Sequence, residues 1–79
     1  MHITVKAACD PEAGVWYIAS SNLPGLHIEA DTYIELYVKL PGAIEDLLEG
    51  SGEREVSYEF TAPDHPNYKD IPGRVKIAA

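Results

Sequence analysis

The sequence predicts an α+β domain in which one helix packs on one face of a single β-sheet. The predicted order is β-β-β-α-β, and the pattern allows an extra C-terminal edge strand. Residues 33–48 repeat apolar side chains at the 3.6-residue spacing of a helix that lies on other structure. The segments before and after it alternate apolar and polar residues, as half-buried strands do. A chain of 79 residues has room for one hydrophobic core, so we expect a single domain over residues 1–79.

The first part of the chain is predicted to form three short antiparallel strands. Residues 3–9 form the first, and a Pro- and Gly-containing turn joins it to the second at residues 15–20. A four-residue loop would place Trp16 beside Cys9 on the buried face, whereas a five-residue loop would place Val15 there. Both registers stay open, because the second strand is apolar on both faces. Alternation over residues 26–30 predicts the third strand.

The predicted helix spans residues 32–49. Thr32 and Glu35 have the spacing of a capping box, and Asp31 is a competing N-cap. Pro41 lies inside the pattern and is followed by a glycine, and an interior proline costs ~3 kcal/mol. We therefore expect this helix to be kinked or split into two pieces.

Residues 55–61 alternate cleanly and predict a fourth strand with Val56, Tyr58 and Phe60 facing inward. With the helix as the crossover, this strand is expected to lie beside the first and parallel to it. The segment 62–73 contains three prolines and is predicted to be a loop. Residues 74–79 would form the extra edge strand.

Charge and composition exclude several classes of protein. Thirteen acidic and six basic residues give a net charge of −7, and no basic run is present that would bind phosphates, so direct nucleic-acid binding is not expected. No apolar run approaches the ~20 residues of a membrane span. The single cysteine excludes an internal disulfide and fits a reducing compartment, so we expect a cytoplasmic protein.

No constellation of residues indicates catalysis. The histidines and Asp64 lack the spacing of zinc ligands, and Cys9 lies on the strand face predicted to be buried, where a thiol is unreactive. The sequence also contains no glycine-rich phosphate loop. We therefore predict a protein that is not an enzyme, with no catalytic residue, no metal ligand and no cofactor.

Two sets of residues are candidates for binding partners. Four acids of the predicted helix face away from its apolar stripe: Glu35, Glu45, Asp46 and Glu49. The last three lie near the helix C-terminus, where the helix dipole disfavours negative charge. These acids are therefore candidates for binding a basic partner. The alternative is a solvated face balanced by Arg54 or Lys69. The second set comprises apolar residues of the two-sided second strand and of a helix strip beside the core stripe, which indicate a homo-oligomer, with a dimer favoured: Val15, Tyr17, Ile34 and Val38.

The motifs also carry a family resemblance. The segment ITVKAACDPEAGVWYIASSNLPGL, followed by EADTYIEL and AIEDLLE, resembles the small HicB-like domains, including a short uncharacterised branch of that superfamily. The resemblance covers residues 3–49. Residues 53–79 are not covered, and their Pro-rich loop departs from the family pattern.

The resemblance implies a partial ribonuclease H-like fold without that enzyme's chemistry. A two-metal nuclease needs convergent carboxylates, and residues 3–9 of the first strand contain no acid. It further implies an antitoxin, or an orphan relative of one, that binds and neutralises a small basic toxin that cleaves messenger RNA. The alternative from another class is a stand-alone oligomeric domain with a structural or small-ligand-binding role.

Overall fold

The computed structural model describes residues 1–63 and 71–77. Five strands form one mixed sheet in the order β3-β2-β1-β4-β5, and one helix lies on one of its faces, which confirms the predicted α+β class. The elements in chain order are β1 (His2–Asp10), β2 (Val15–Ser21), β3 (Glu29–Ala30), α1 (Tyr33–Leu48), β4 (Glu55–Thr61) and β5 (Ile71–Lys76). Strand β4 runs parallel to β1, and the other neighbouring pairs are antiparallel.

The β1–β2 hairpin has the four-residue loop. Asp10 pairs with Val15 and Cys9 pairs with Trp16, which decides between the two registers that the sequence left open. The Asp10 side chain accepts hydrogen bonds from two backbone N–H groups of the loop, at 3.0 and 3.3 Å. Gly14 closes the loop with a φ of 69°, in the left-handed region that glycine adopts without strain. The turn chemistry of the loop therefore sets the register of the hairpin from Asp10 back to Ala7, and an irregularity between Ala7 and Lys6 shifts the pairing beyond that point.

The face of β2 that packs against the helix carries Trp16 and Ile18. Ile18 pairs with the fully buried Ala7, and the Trp16 ring meets that of Tyr33 on α1 edge-on, with ring centroids 5.9 Å apart. Because side chains alternate along a strand, Tyr17 points to the opposite face of the sheet. That face has no helix packed on it among the described residues, and it is called the open sheet face below.

Helix α1 begins at Tyr33, one residue after the start of the predicted span 32–49. The hydroxyl of Thr32 accepts a hydrogen bond from the backbone N–H of Glu35 at 3.1 Å, so Thr32 is the N-cap and Asp31 is not. Of the two predicted effects of Pro41, a kink or a split, the split is wrong, because α1 continues as one 16-residue helix through the proline.

Packing explains why the helix continues. Four side chains of one stripe, two on each side of Pro41, are buried: Leu36, Leu40, Ile44 and Leu48. Burying a leucine or isoleucine side chain contributes roughly 1.5–3 kcal/mol. The stripe together therefore outweighs the ~3 kcal/mol cost of an interior proline.

Aromatic rings fill the space between the helix and the sheet. Phe60 of β4 lies between Tyr33 and Tyr37 of α1, with ring centroids 5.6 Å from each. Tyr37 in turn lies 6.5 Å from the ring of Tyr58. The buried core consists of Ile3, Val5, Ala7, Ile18, Leu23, Leu26, Ala30, Leu36, Leu40, Ile44, Leu48, Val56, Tyr58, Phe60, Ala62, Val75 and Ile77.

Strand β5 lies at the edge of the sheet, but it starts earlier than predicted. It begins at Ile71 rather than Arg74, so Pro72 belongs to a strand and not to the predicted loop. A proline is tolerated there because an edge strand has one side without ladder partners. The rest of the predicted loop, residues 64–70, and the end of the predicted edge strand, residues 78–79, lie outside the described residues.

Candidate interaction surfaces

The side of α1 that faces away from the sheet carries two large apolar side chains. Ile34 is 61% exposed and Val38 is 68% exposed, the highest values among large apolar residues in the described ranges 1–63 and 71–77. Residues four apart on a helix are neighbours on its surface. The two side chains therefore form one continuous apolar patch that the fold of this chain leaves uncovered.

Of the predicted acidic residues, Glu35 adjoins this patch, and the other three lie further along the helix, in its last turns and at its C-cap. Glu35, Glu45, Asp46 and Glu49 are all exposed, and the helical repeat places each of them on the outward half of α1. The structure thus brings together the acids and two of the four predicted oligomer residues. This outer helix surface is defined here by Ile34, Glu35, Val38, Gly42, Glu45, Asp46 and Glu49.

The outer helix surface keeps its negative charge. The last turn of α1, which is fully described, contains no basic residue, although carbonyl groups at a helix C-terminus favour cations. The one base in the helix, Lys39, donates a hydrogen bond from Nζ to the carbonyl of Glu29 at 3.1 Å. Arg54 is exposed in the segment before β4, and Lys69 lies outside the described residues.

Gly42 lies on the outer helix surface, inside α1. A Cβ built at Gly42 would meet no described atom within 4 Å, so packing within the chain does not require a glycine there. A glycine inside a helix costs about 1 kcal/mol relative to alanine. The position therefore loses stability without any compensating contact in the described part of the chain.

The other two predicted oligomer residues lie elsewhere. Val15 is half-buried and Tyr17 is 38% exposed, and both are on the open sheet face. The helix occupies the other face, so these residues do not form one continuous surface with Ile34 and Val38. Instead of a single seam, the structure contains two separate surfaces.

Two further features of the open sheet face were not predicted. The ring nitrogen Nδ1 of His2 and the hydroxyl of Ser57 are 2.8 Å apart, because parallel pairing places these residues side by side. A groove also lies over the hairpin end of β2, between Asp10 and Glu29. The first depends on pairing between strands distant in sequence, and the second on the register of three consecutive strands, and local patterns reveal neither.

Tyr58 has the one clearly shifted pKa among the described residues. Burial raises the pKa of its phenol from 10 to about 12, and a hydrogen bond with Tyr37 adds to the effect. The side chain is only 4% exposed and belongs to the core. Its shifted pKa therefore reflects packing between α1 and β4 and not an accessible acid or base.

Comparison with known proteins identifies a family. Residues 2–66 match the model of a family described as "Domain of unknown function (DUF1902)". The chain belongs to the DUF1902 family. The match extends beyond residues 3–49, which carry the HicB-like resemblance, and it includes β4. The description of DUF1902 gives no activity and names no HicB-like family. No curated protein matches the chain, and no solved structure matches it.

The described part of this DUF1902 domain contains no cluster of metal-binding groups. Within residues 1–63 and 71–77, no three His, Cys, Asp or Glu side chains are placed to hold a metal ion. Cys9 is half-buried at the end of β1. Over the same residues, no helix has the length and apolar character needed to cross a membrane.

Proposed function

We propose that this DUF1902 domain is a non-enzymatic, HicB-like antitoxin-type module. It would bind and neutralise a small basic toxin that cleaves messenger RNA, or descend from a protein that did so. The proposal depends on one observation, the exposed pair Ile34 and Val38 within an acidic helix surface.

This combination of side chains favours a protein partner. Specific interfaces have an apolar centre that is removed from water and a polar rim that stays wet. Here Ile34 and Val38 would form the apolar centre, and the carboxylates of Glu35 and of the last turns of α1 would lie at its edge. Complementary charge would speed the encounter with a basic protein more than it would raise affinity.

The layout of the sheet is compatible with a HicB-like, partial ribonuclease H-like fold. The three antiparallel strands come first, and β4 then lies beside β1 and parallel to it. Strand β1 has one acid, Asp10 at its last position, and that carboxylate accepts two hydrogen bonds of the hairpin loop. Nuclease chemistry is therefore not part of the proposal. The domain is proposed to act in the cytoplasm. It would act by binding a protein and would not contact nucleic acid directly.

A homodimer is the second candidate, and charge on the outer helix surface favours a basic partner over it. A two-fold dimer through the outer helix surface would place the same acidic patch of two copies against each other. Carboxylates so juxtaposed repel, whereas a basic partner relieves the repulsion already present. A dimer would be favoured instead if it used Val15 and Tyr17 on the open sheet face.

The proposal is tested by affinity capture with matched baits. Purified wild-type protein and the variant Ile34→Ser/Val38→Ser are exposed to lysate of the source cell, and Tyr17→Ser serves as a control on the other face. We expect wild type and the control to retain the same small basic protein, and the double variant to lose it. Light scattering of the free proteins then tests the second candidate, because a dimer that dissociates in the double variant would assign this surface to self-association.

A further inference from the structure

The open sheet face contains a groove of about 540 Å³ beside β3. This volume falls within the range of about 300–1,000 Å³ that is typical of small-molecule sites. The residues that line it include Asp10, Ala13, Val15, Tyr17, Ile28 and Glu29.

Strand register determines how the polar groups are arranged. Asp10 pairs with Val15, and Glu29 pairs with Tyr17, so the two carboxylates lie two strands and two residues apart. With standard strand spacing and rise, their Cα atoms are separated by about 12 Å. The apolar side chains of Val15 and Tyr17 lie between them. The groove thus has a negative charge towards each end and an apolar floor.

Both carboxylates are on fixed backbone. Oδ1 of Asp10 accepts from the N–H groups of Glu12 and Ala13, which leaves its second oxygen for a ligand. The carbonyl of Glu29 is held by Lys39, which reaches it from the helix. None of the described residues that line the groove is a lysine or an arginine, and His27 is the one basic side chain there.

We infer that this groove binds a linear aliphatic polyamine. Its terminal ammonium groups would pair with Asp10 and Glu29, its methylene segments would lie across Val15, and an internal ammonium, as in spermidine, would lie against the ring of Tyr17. A cation next to an aromatic ring gains additional attraction. A single basic side chain of a protein would use one carboxylate only, so two separated carboxylates with an apolar floor favour a free ligand with a charge at each end.

Isothermal titration of the full chain with spermidine at low ionic strength tests this inference. The variant Asp10→Asn/Glu29→Gln removes both charges, and the asparagine keeps the Oδ1 acceptor that the hairpin loop needs. The control Asp46→Asn/Glu49→Gln removes the same charge from the outer helix surface. We expect one spermidine per wild-type chain, a loss of affinity of about tenfold in the groove variant and a change below about twofold in the control.

Other outcomes would overturn the inference. Equal weakening by both double variants would mean that spermidine is attracted by net charge alone. Butylamine binding as tightly as spermidine would show a site for a single cation, and a lysine peptide binding more tightly would assign the groove to a protein side chain. If the groove variant unfolds, Tyr17→Ser replaces it, and unchanged affinity in that variant counts against the groove. This test needs no protein partner, so its result is independent of the proposed function.

Discussion

Tyr58 of β4 and Gly73 of β5 pair directly, and the Tyr58 ring occupies the space that a side chain at position 73 would need. A Cβ built on Gly73 would overlap the ring atoms of Tyr58. The glycine therefore allows a buried aromatic side chain to lie against the edge strand. This contact joins β5 to the core, since Tyr58 also meets Tyr37 of the helix.

Gly73→Ala should destabilise the fold. The added methyl group must displace a ring that is 4% exposed and packed against α1, and overpacking of this kind costs about 1–3 kcal/mol. Urea unfolding followed by circular dichroism measures the loss. An unchanged midpoint would mean that β5 moves away from β4 at little cost.

Gly42→Ala is the matched change in open space, and it should stabilise the fold. No described atom lies within 4 Å of the new methyl group, and alanine favours a helix by about 1 kcal/mol over glycine. The same unfolding experiment should show a higher midpoint. A lower one would reveal a requirement for glycine that packing does not explain.

Stability should fall in alkaline solution because of Tyr58. The fold raises the pKa of this phenol from 10 to about 12, so its contribution is complete below pH 10 and is lost as the pH rises towards 12. In Tyr58→Phe the free energy of unfolding should therefore fall less over this interval than in wild type. Tyr17→Phe, which removes an exposed phenol, is the control and should retain the wild-type slope. Equal slopes in all three proteins would contradict the assignment.

The sequence predicted local structure best where the position of a side chain has one clear physical cause, such as burial of one strand face or capping of a helix. The alternation over β4 predicted the bounds Glu55–Thr61 as the structure has them, because the buried and exposed faces of that strand differ sharply. Thr32 similarly marked the N-cap, since its hydroxyl accepts from the third residue of the helix.

Predictions were weaker where distant packing decides. Pro41 led us to expect a kinked or split helix, but the buried side chains on both sides of it keep α1 in one piece. Pro72 argued for a loop, but pairing with β4 extends β5 through it. The acids and apolar residues of the outer helix surface were each proposed from the wheel, whereas the groove between Asp10 and Glu29 needed the register of three strands.

Charge on the outer helix surface should control the rate of association with a basic partner. Asp46→Asn/Glu49→Gln should leave the fold intact or slightly more stable, since both acids oppose the helix dipole. Binding to the captured partner should slow several-fold at low salt, and the difference should shrink as salt screens the charges. Stopped-flow measurements at two salt concentrations test this. Equal association rates for wild type and the double variant at low salt would show that these two acids have no role in binding the partner.

The central claim is tested most directly by RNA cleavage. The small basic protein captured by the wild-type domain is purified and incubated with messenger RNA, alone and with an equimolar amount of wild type or of Ile34→Ser/Val38→Ser. Both replaced side chains are more than half exposed, so the variant should fold with stability within about 0.5 kcal/mol of wild type. We predict that the partner cleaves RNA, that wild type stops cleavage and that the double variant does not. A partner that leaves RNA intact, or equal inhibition by both proteins, would contradict the account.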